Sequence, residues 1–161
     1  MSRAGNIAQM WAKAQRYPGG TRLFSWALGR MARYSGSIGA EVVHLEQGRG
    51  VVSMRDRPAV RNHLKSVHAI ALMNLGELAT GATVMYQVDG RGRGILKGMS
   101  MDYHKKARGL ITASCEFLVP EEPGKYDLEV NGTLRDTDGD AVATVTATWR
   151  IDIYPSTPVD S

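Results

Sequence analysis

Between Ser66 and Val88 the chain carries a single carboxylate, Glu77, among Ile70, Leu72, Met73, Leu75 and Leu78. These apolar groups distribute around most of a helix, so Glu77 is expected to be desolvated. Burial raises the pKa of an acid, and a carboxylate with few hydrogen-bond partners is a stronger base than one in water, the condition general-base catalysis exploits. Asn74 stands nearby in the same helix, and Gly81, four residues after Glu77, would leave open space beside the carboxylate where a ligand could sit. The alternative is a Glu77 that faces solvent or pairs with an arginine from a strand. Ahead of the helix runs a polar loop, Arg61-Asn62-His63-Leu64-Lys65-Ser66-Val67-His68-Ala69-Ile70. Its free first-turn N–H groups suit a developing oxyanion. Asn62, His63 and His68 can equally serve as caps and turn contacts.

Other chemistries find less support. No Gly-x-Ser-x-Gly elbow occurs, so a serine-protease-like triad has no nucleophile. Cys115 lies mid-strand among apolar neighbours and reads as core. Asp136-Thr137-Asp138-Gly139-Asp140 is a turn, not an EF-hand loop: Gly139 is fourth from Asp136 where the sixth is required, and the twelfth residue is Ala147 rather than Glu. No metal or cofactor is expected. Gly90-Arg91-Gly92-Arg93-Gly94 is too short for a phosphate-binding glycine loop and lacks its Lys-Ser/Thr ending.

The positioning elements follow from periodicity. Ile7, Met10, Trp11 and Ala14 predict a helix over Asn6 to Arg16, broken by Pro18-Gly19-Gly20. Thr21 can cap a second helix with Leu23, Phe24, Ala27, Leu28 and Met31 as its apolar stripe and Arg22, Arg30 and Arg33 solvated. Packing over a sheet is favoured for this helix over lying on a membrane. Ile38 to Met54 alternates with period two and reads as a hairpin. A central helix from about His68 to Val84 is followed by three or four long antiparallel strands, with Gly132 marking a bulge or bend. A helix apolar all round has to be covered on most sides. The expectation is therefore an α+β fold with an antiparallel sheet wrapped around one long central helix.

The 161 residues, 43% hydrophobic and 22% charged, fit one soluble domain, and the formal charge of +4 favours anionic partners. Glu77 mid-bilayer would cost on the order of 3 kcal/mol, so no membrane span is read in Ser66 to Val88. With one cysteine and no signal-like start, the cytoplasm is the default expectation. Nucleic acid is not expected as a partner because aromatic and basic residues do not interleave.

Asn62, His68 six residues on, and Glu77 nine beyond that reproduce the spacing of the hotdog-fold acyl-CoA thioesterases, in the branch similar to the phenylacetate-pathway thioesterase. The resemblance extends over most of Ser35 to Ile153, including the strand ending Met101-Asp102-Tyr103-His104-Lys105-Lys106-Ala107-Arg108-Gly109. It divides the chain into an N-terminal helical extension (1–34), a hotdog domain (35–155) and a tail (156–161). It implies thioester hydrolysis, with Glu77 as general base or nucleophile, Asn62 positioning water or substrate, and an amide near Ala69 or Ile70 polarising the carbonyl. Lys105, Lys106 and Arg108, with Arg91 and Arg93, become candidates for the coenzyme A phosphates. Sites between chains imply a homodimer or homotetramer. Two departures stand out: the family's His-Gly-Gly is His68-Ala69-Ile70, and Glu77 replaces the commoner Asp. The alternatives are a non-hydrolytic acyl-CoA binder, or a hotdog dehydratase or hydratase using a His and Glu pair.

Overall fold

The computed structural model describes residues 7–155, which form three short α-helices, a one-turn 3-10 helix (Pro58–Val60), six strands and one long α-helix. The expected helix start at Asn6 and the tail at 156–161 lie outside the described residues. Helix α1 (Ile7–Ala14) buries Trp11 edge-on against Phe24 of α2 (Gly20–Met31), with ring centroids 5.2 Å apart. Thr21 is not the cap of α2. Gly19 takes that position with φ 76° and no side chain caps the helix; glycine reaches this left-handed conformation without steric cost, so the Pro-Gly-Gly break itself sets the start. The expected stripe is also narrower. Phe24 is buried and Leu28 packs on the core, but Leu23 and Met31 are 65% and 67% exposed. The reason is a single close seat on the sheet, where the Val42 N–H donates to Ser25 Oγ (2.8 Å) and turns the Phe24–Ser25 side inward. Helix α3 (Arg33–Gly36) then lies against the long helix, with Asn74 Nδ2 donating to the Tyr34 carbonyl (3.2 Å).

Strands β1 (Glu41–Glu46) and β2 (Arg49–Arg55) form the expected hairpin, and α4 (Ala69–Val88) follows through the polar loop. Four further strands complete the sheet: β3 (Gly92–Tyr103), β4 (Leu110–Glu116), β5 (Gly124–Arg135) and β6 (Ala141–Ile153). All pairings are antiparallel, in the order β1-β2-β4-β5-β6-β3, which leaves β1 and β3 at the edges. Gly132 does not bulge. It pairs in register with Cys115 and Val145, and the shift falls at Leu134/Arg135; a methyl group at Gly132 would stand 3.0 Å from Val145 Cγ1, so the glycine serves close packing.

Helix α4 is apolar on every side and packs against all six strands, which is the hotdog arrangement. Gly76 lets the helix approach the sheet closely, since a methyl there would meet Met101 Cε at 2.9 Å. Trp11 and Phe24 belong to the same core as Leu75, Val145 and Ile151, so the N-terminal helices share the interior of the wrapped sheet. Among the described residues, no helix is long and apolar enough to cross a membrane.

Candidate functional site

Glu77 sits two turns into α4 and is half-buried. Its Oε2 accepts a hydrogen bond from Ser35 Oγ of α3 (3.3 Å), and no cationic side chain pairs with it among the described residues. Desolvation pushes its carboxyl above the usual glutamate range, and the Ser35 hydrogen bond only partly opposes this. The arginine-paired alternative is thereby excluded among the described residues. Gly81 leaves less room than its type suggests. A methyl there would stand 3.6 Å from Glu77 Oε1 but 3.1 Å from Trp149 Cη2, so the space on one side of the carboxylate holds an indole ring. Trp149 is there because β6 alternates inward at that position, and its Nε1 donates to Thr80 Oγ1 (3.3 Å). Asn74, buried and donating to Tyr34, likewise serves the α3–α4 contact.

The polar loop builds a second, separate place. Asn62 Oδ1 accepts from the Leu64 and Ser66 N–H groups and from Ser66 Oγ (2.9, 3.3 and 3.2 Å), closing the turn that the Arg61–Val67 bridge pins. Lys65 adopts φ 55° inside it. His68 is the N-cap of α4: its Nδ1 accepts the Ile70 N–H (3.0 Å), which leaves the proton of the neutral ring on Nε2, toward solvent. The Ile70 amide is thus occupied. The Ala69 N–H finds no partner among the described residues and is the open donor of the first turn. A cleft of about 290 Å³ opens here, between Asn62, Ser66, Ala69, Tyr103 and Lys106. Tyr103 Oη donates to the Ala69 carbonyl (3.0 Å), and burial raises its phenol.

The remaining candidates divide. Lys106 lines this cleft and makes no ion pair among the described residues. Lys105 lines it too, but its ammonium is held by Asp136 (2.8 Å) and Asp140 (2.7 Å), which fasten the β5–β6 turn and raise its pKa. Arg108 lies nearer Asp56, a carboxylate that the Arg61 hydrogen bond holds below its usual range. His63 is exposed and is not part of this cleft's lining. Arg91 is anchored to the Gln87 and Pro120 carbonyls and Arg93 to Asp152, at the far end of α4. Cys115 is core: burial pushes its thiol up to about 11. Ser35 is the site residue that the sequence does not announce. It lies 42 positions from Glu77, and no local pattern signals the contact.

Asn62 and His68 are therefore not brought to Glu77 within one chain. Eight residues of helix separate Ala69 from Glu77, about 12 Å at 1.5 Å per residue.

A family model for a domain of unknown function, DUF4442, matches residues 20–151. The chain belongs to the DUF4442 family. Its match begins within α2, so the family shares that helix as well as the sheet. Among solved structures, the protein APC5556 is 30% identical, with a TM-score of 0.78 over 91% of this chain and 98% of its own. A Pseudomonas aeruginosa protein, PA5026, named as a probable thioesterase, is 25% identical with a TM-score of 0.70 over 86% of this chain and 97% of its own. A substituted form of the thioesterase SAV0944 from Staphylococcus aureus is 20% identical, with a TM-score of 0.67 over 74% and 98%, and shows the shared fold. Among curated proteins no sequence matches. The DUF4442 chain thus has the hotdog fold of these relatives.

Proposed function

We propose that the protein is a thioesterase that hydrolyses an acyl-CoA, with Glu77 as the general base. The observation that carries this is the carboxylate itself: half-buried on the wrapped helix, without a cationic partner among the described residues, and raised in pKa by desolvation. In the reaction Glu77 takes a proton from water as the water oxygen bonds to the thioester carbonyl carbon. The carbon–sulfur bond then breaks, and the proton passes to the leaving sulfur, giving the acid and the free thiol. The alternative for the same residue is direct attack by the carboxylate. The named thioesterases among the solved relatives support the reaction class.

The separation of Glu77 from the Asn62 cleft supports a homodimer in which one subunit's Glu77 faces the other's cleft. There the Ala69 N–H would polarise the carbonyl, while Lys106 would meet a phosphate of coenzyme A. The uncovered edge of β3 supports the same assembly. It is a 12-residue strand at the end of the sheet, with Ile95 and Tyr103 exposed, and an open edge of that length pairs readily with a second strand. A homotetramer would add a second such interface.

One observation favours a second reading. The Ile70 N–H is occupied by His68, so the first turn offers one open amide rather than two. A non-hydrolytic acyl-CoA binder would look the same. Thiol release from a panel of acyl-CoAs separates the readings: release that is lost in Glu77→Gln supports the thioesterase, whereas saturable binding without release supports the binder.

A further inference from the structure

A cavity of about 550 Å³ lies between α2, α3, β1 and α4, within the size range of small-ligand sites. It adjoins Glu77. Ser35, whose hydroxyl bonds the Glu77 carboxylate, lines the cavity, and so does Leu78, the next residue of α4. Its floor is apolar, with Leu28 and Val42 beside Leu78, and its rim is basic. Three arginines, Arg22, Arg30 and Arg33, stand there against one glutamate, Glu41. Arg22 is paired with that glutamate at 3.5 Å. Arg30 and Arg33 have no carboxylate within ion-pair distance among the described residues. The Arg30 guanidinium is held 5.2 Å from the centre of the Trp26 ring, an arrangement that fixes its position and leaves its N–H groups open.

Charge around the cavity is thus graded: Glu77 stands behind Ser35, outside the lining, and the unpaired arginines stand at the exposed mouth. An anion is repelled from the first place and attracted to the second. We propose that Arg30 and Arg33 bind an anionic group of the thioester substrate, phosphate or carboxylate, at the mouth of this cavity, so that α2 and α3 form a substrate-selecting wall beside Glu77. Guanidinium forks suit both oxyanions, and the apolar floor takes the uncharged part of the ligand. The inference rests on the thioesterase reading for its substrate, and it gives the N-terminal helices a role in selecting that substrate. The cavity around Arg93 has no comparable claim, because Arg93 is already bound by Asp152.

The test compares the wild type with the double variant Arg30→Gln/Arg33→Gln on three probes: hexanoyl-CoA, the uncharged hexanoyl-N-acetylcysteamine, and succinyl-N-acetylcysteamine. The expected result is a rise in KM of about tenfold or more, with kcat within about twofold, for a probe that carries the anion. A rise for hexanoyl-CoA assigns the group to the carrier phosphates; a rise for the succinyl thioester assigns it to an acyl carboxylate. No change on any probe, or an equal change on the uncharged one, overturns the proposal. If the wild type releases no thiol, the thioesterase reading fails separately. Calorimetry with thioether analogues of the same three probes then decides: a Kd weakened about tenfold only for a charged analogue upholds the arginine site, and unchanged affinities overturn it.

Discussion

The middle of α4 and the loop at its start hold the candidate chemistry in opposite ways. At Glu77 the surroundings are apolar, one hydroxyl reaches the carboxylate, and desolvation dominates. At the Asn62 loop nearly every polar group is spent on structure: Asn62 accepts three hydrogen bonds, His68 caps Ile70, and Lys105 is locked to two aspartates. The first region stores reactivity because its charge is under-compensated. The second stores geometry because its groups are satisfied. Substitutions in the two regions should therefore fail differently, the one in turnover and the other in stability.

The largest structural effect should come from the packing that surrounds Glu77. Trp149→Ala removes the buried ring that fills the space beside Gly81 and should destabilise the fold by about 3–5 kcal/mol, read from chemical denaturation. In the loop, Asn62→Ala leaves three donors without their acceptor. Stability should fall by about 1–3 kcal/mol, and a loss of activity without a loss of stability would show that Asn62 acts on substrate rather than on the turn.

The pH profile sharpens the contrast. As a base, Glu77 works only when ionised, so kcat/KM should fall on the acid side around a pKa above the ordinary glutamate value of about 4.3. Ser35→Ala removes the hydrogen bond that lowers this pKa, and the acid limb should move to still higher pH. An unmoved limb would detach Ser35 from the site. The smallest effect is expected at Lys105→Gln, because its ammonium is taken up by Asp136 and Asp140 and is not open to substrate. KM for acyl-CoA should change by less than about twofold there, whereas Lys106→Gln should raise it.

The contrast also explains what was legible beforehand. Period-two and helical spacing disclosed the hairpin, the long helix and the later strands, because the strands alternate between a more covered and a more exposed face and α4 is apolar all round. Glu77 was legible for the same reason: a lone carboxylate in an apolar helix needs an explanation. Three features were not. Thr21 looked like a cap, but Gly19 takes the left-handed position and leaves it no role. Gly81 looked like open space, yet Trp149 from a strand 68 residues away fills part of it. The Ser35 contact and the cavity behind it arise from the way α2 packs on β1 and α3 on α4, a tertiary event with no local signature.

The central claim is that Glu77 works as a base and not as a structural charge, and turnover and melting temperature measured on the same Glu77→Gln protein test it most directly. Gln keeps the shape and the contact with Ser35 while removing the basicity. Because burial raises the folded pKa, ionisation of Glu77 opposes folding above the ordinary glutamate pKa, and the substitution should leave Tm at pH 7 unchanged or higher. Acyl-CoA hydrolysis should drop about 10²-fold or more. Unchanged hydrolysis accompanied by a clear fall in Tm would contradict the account.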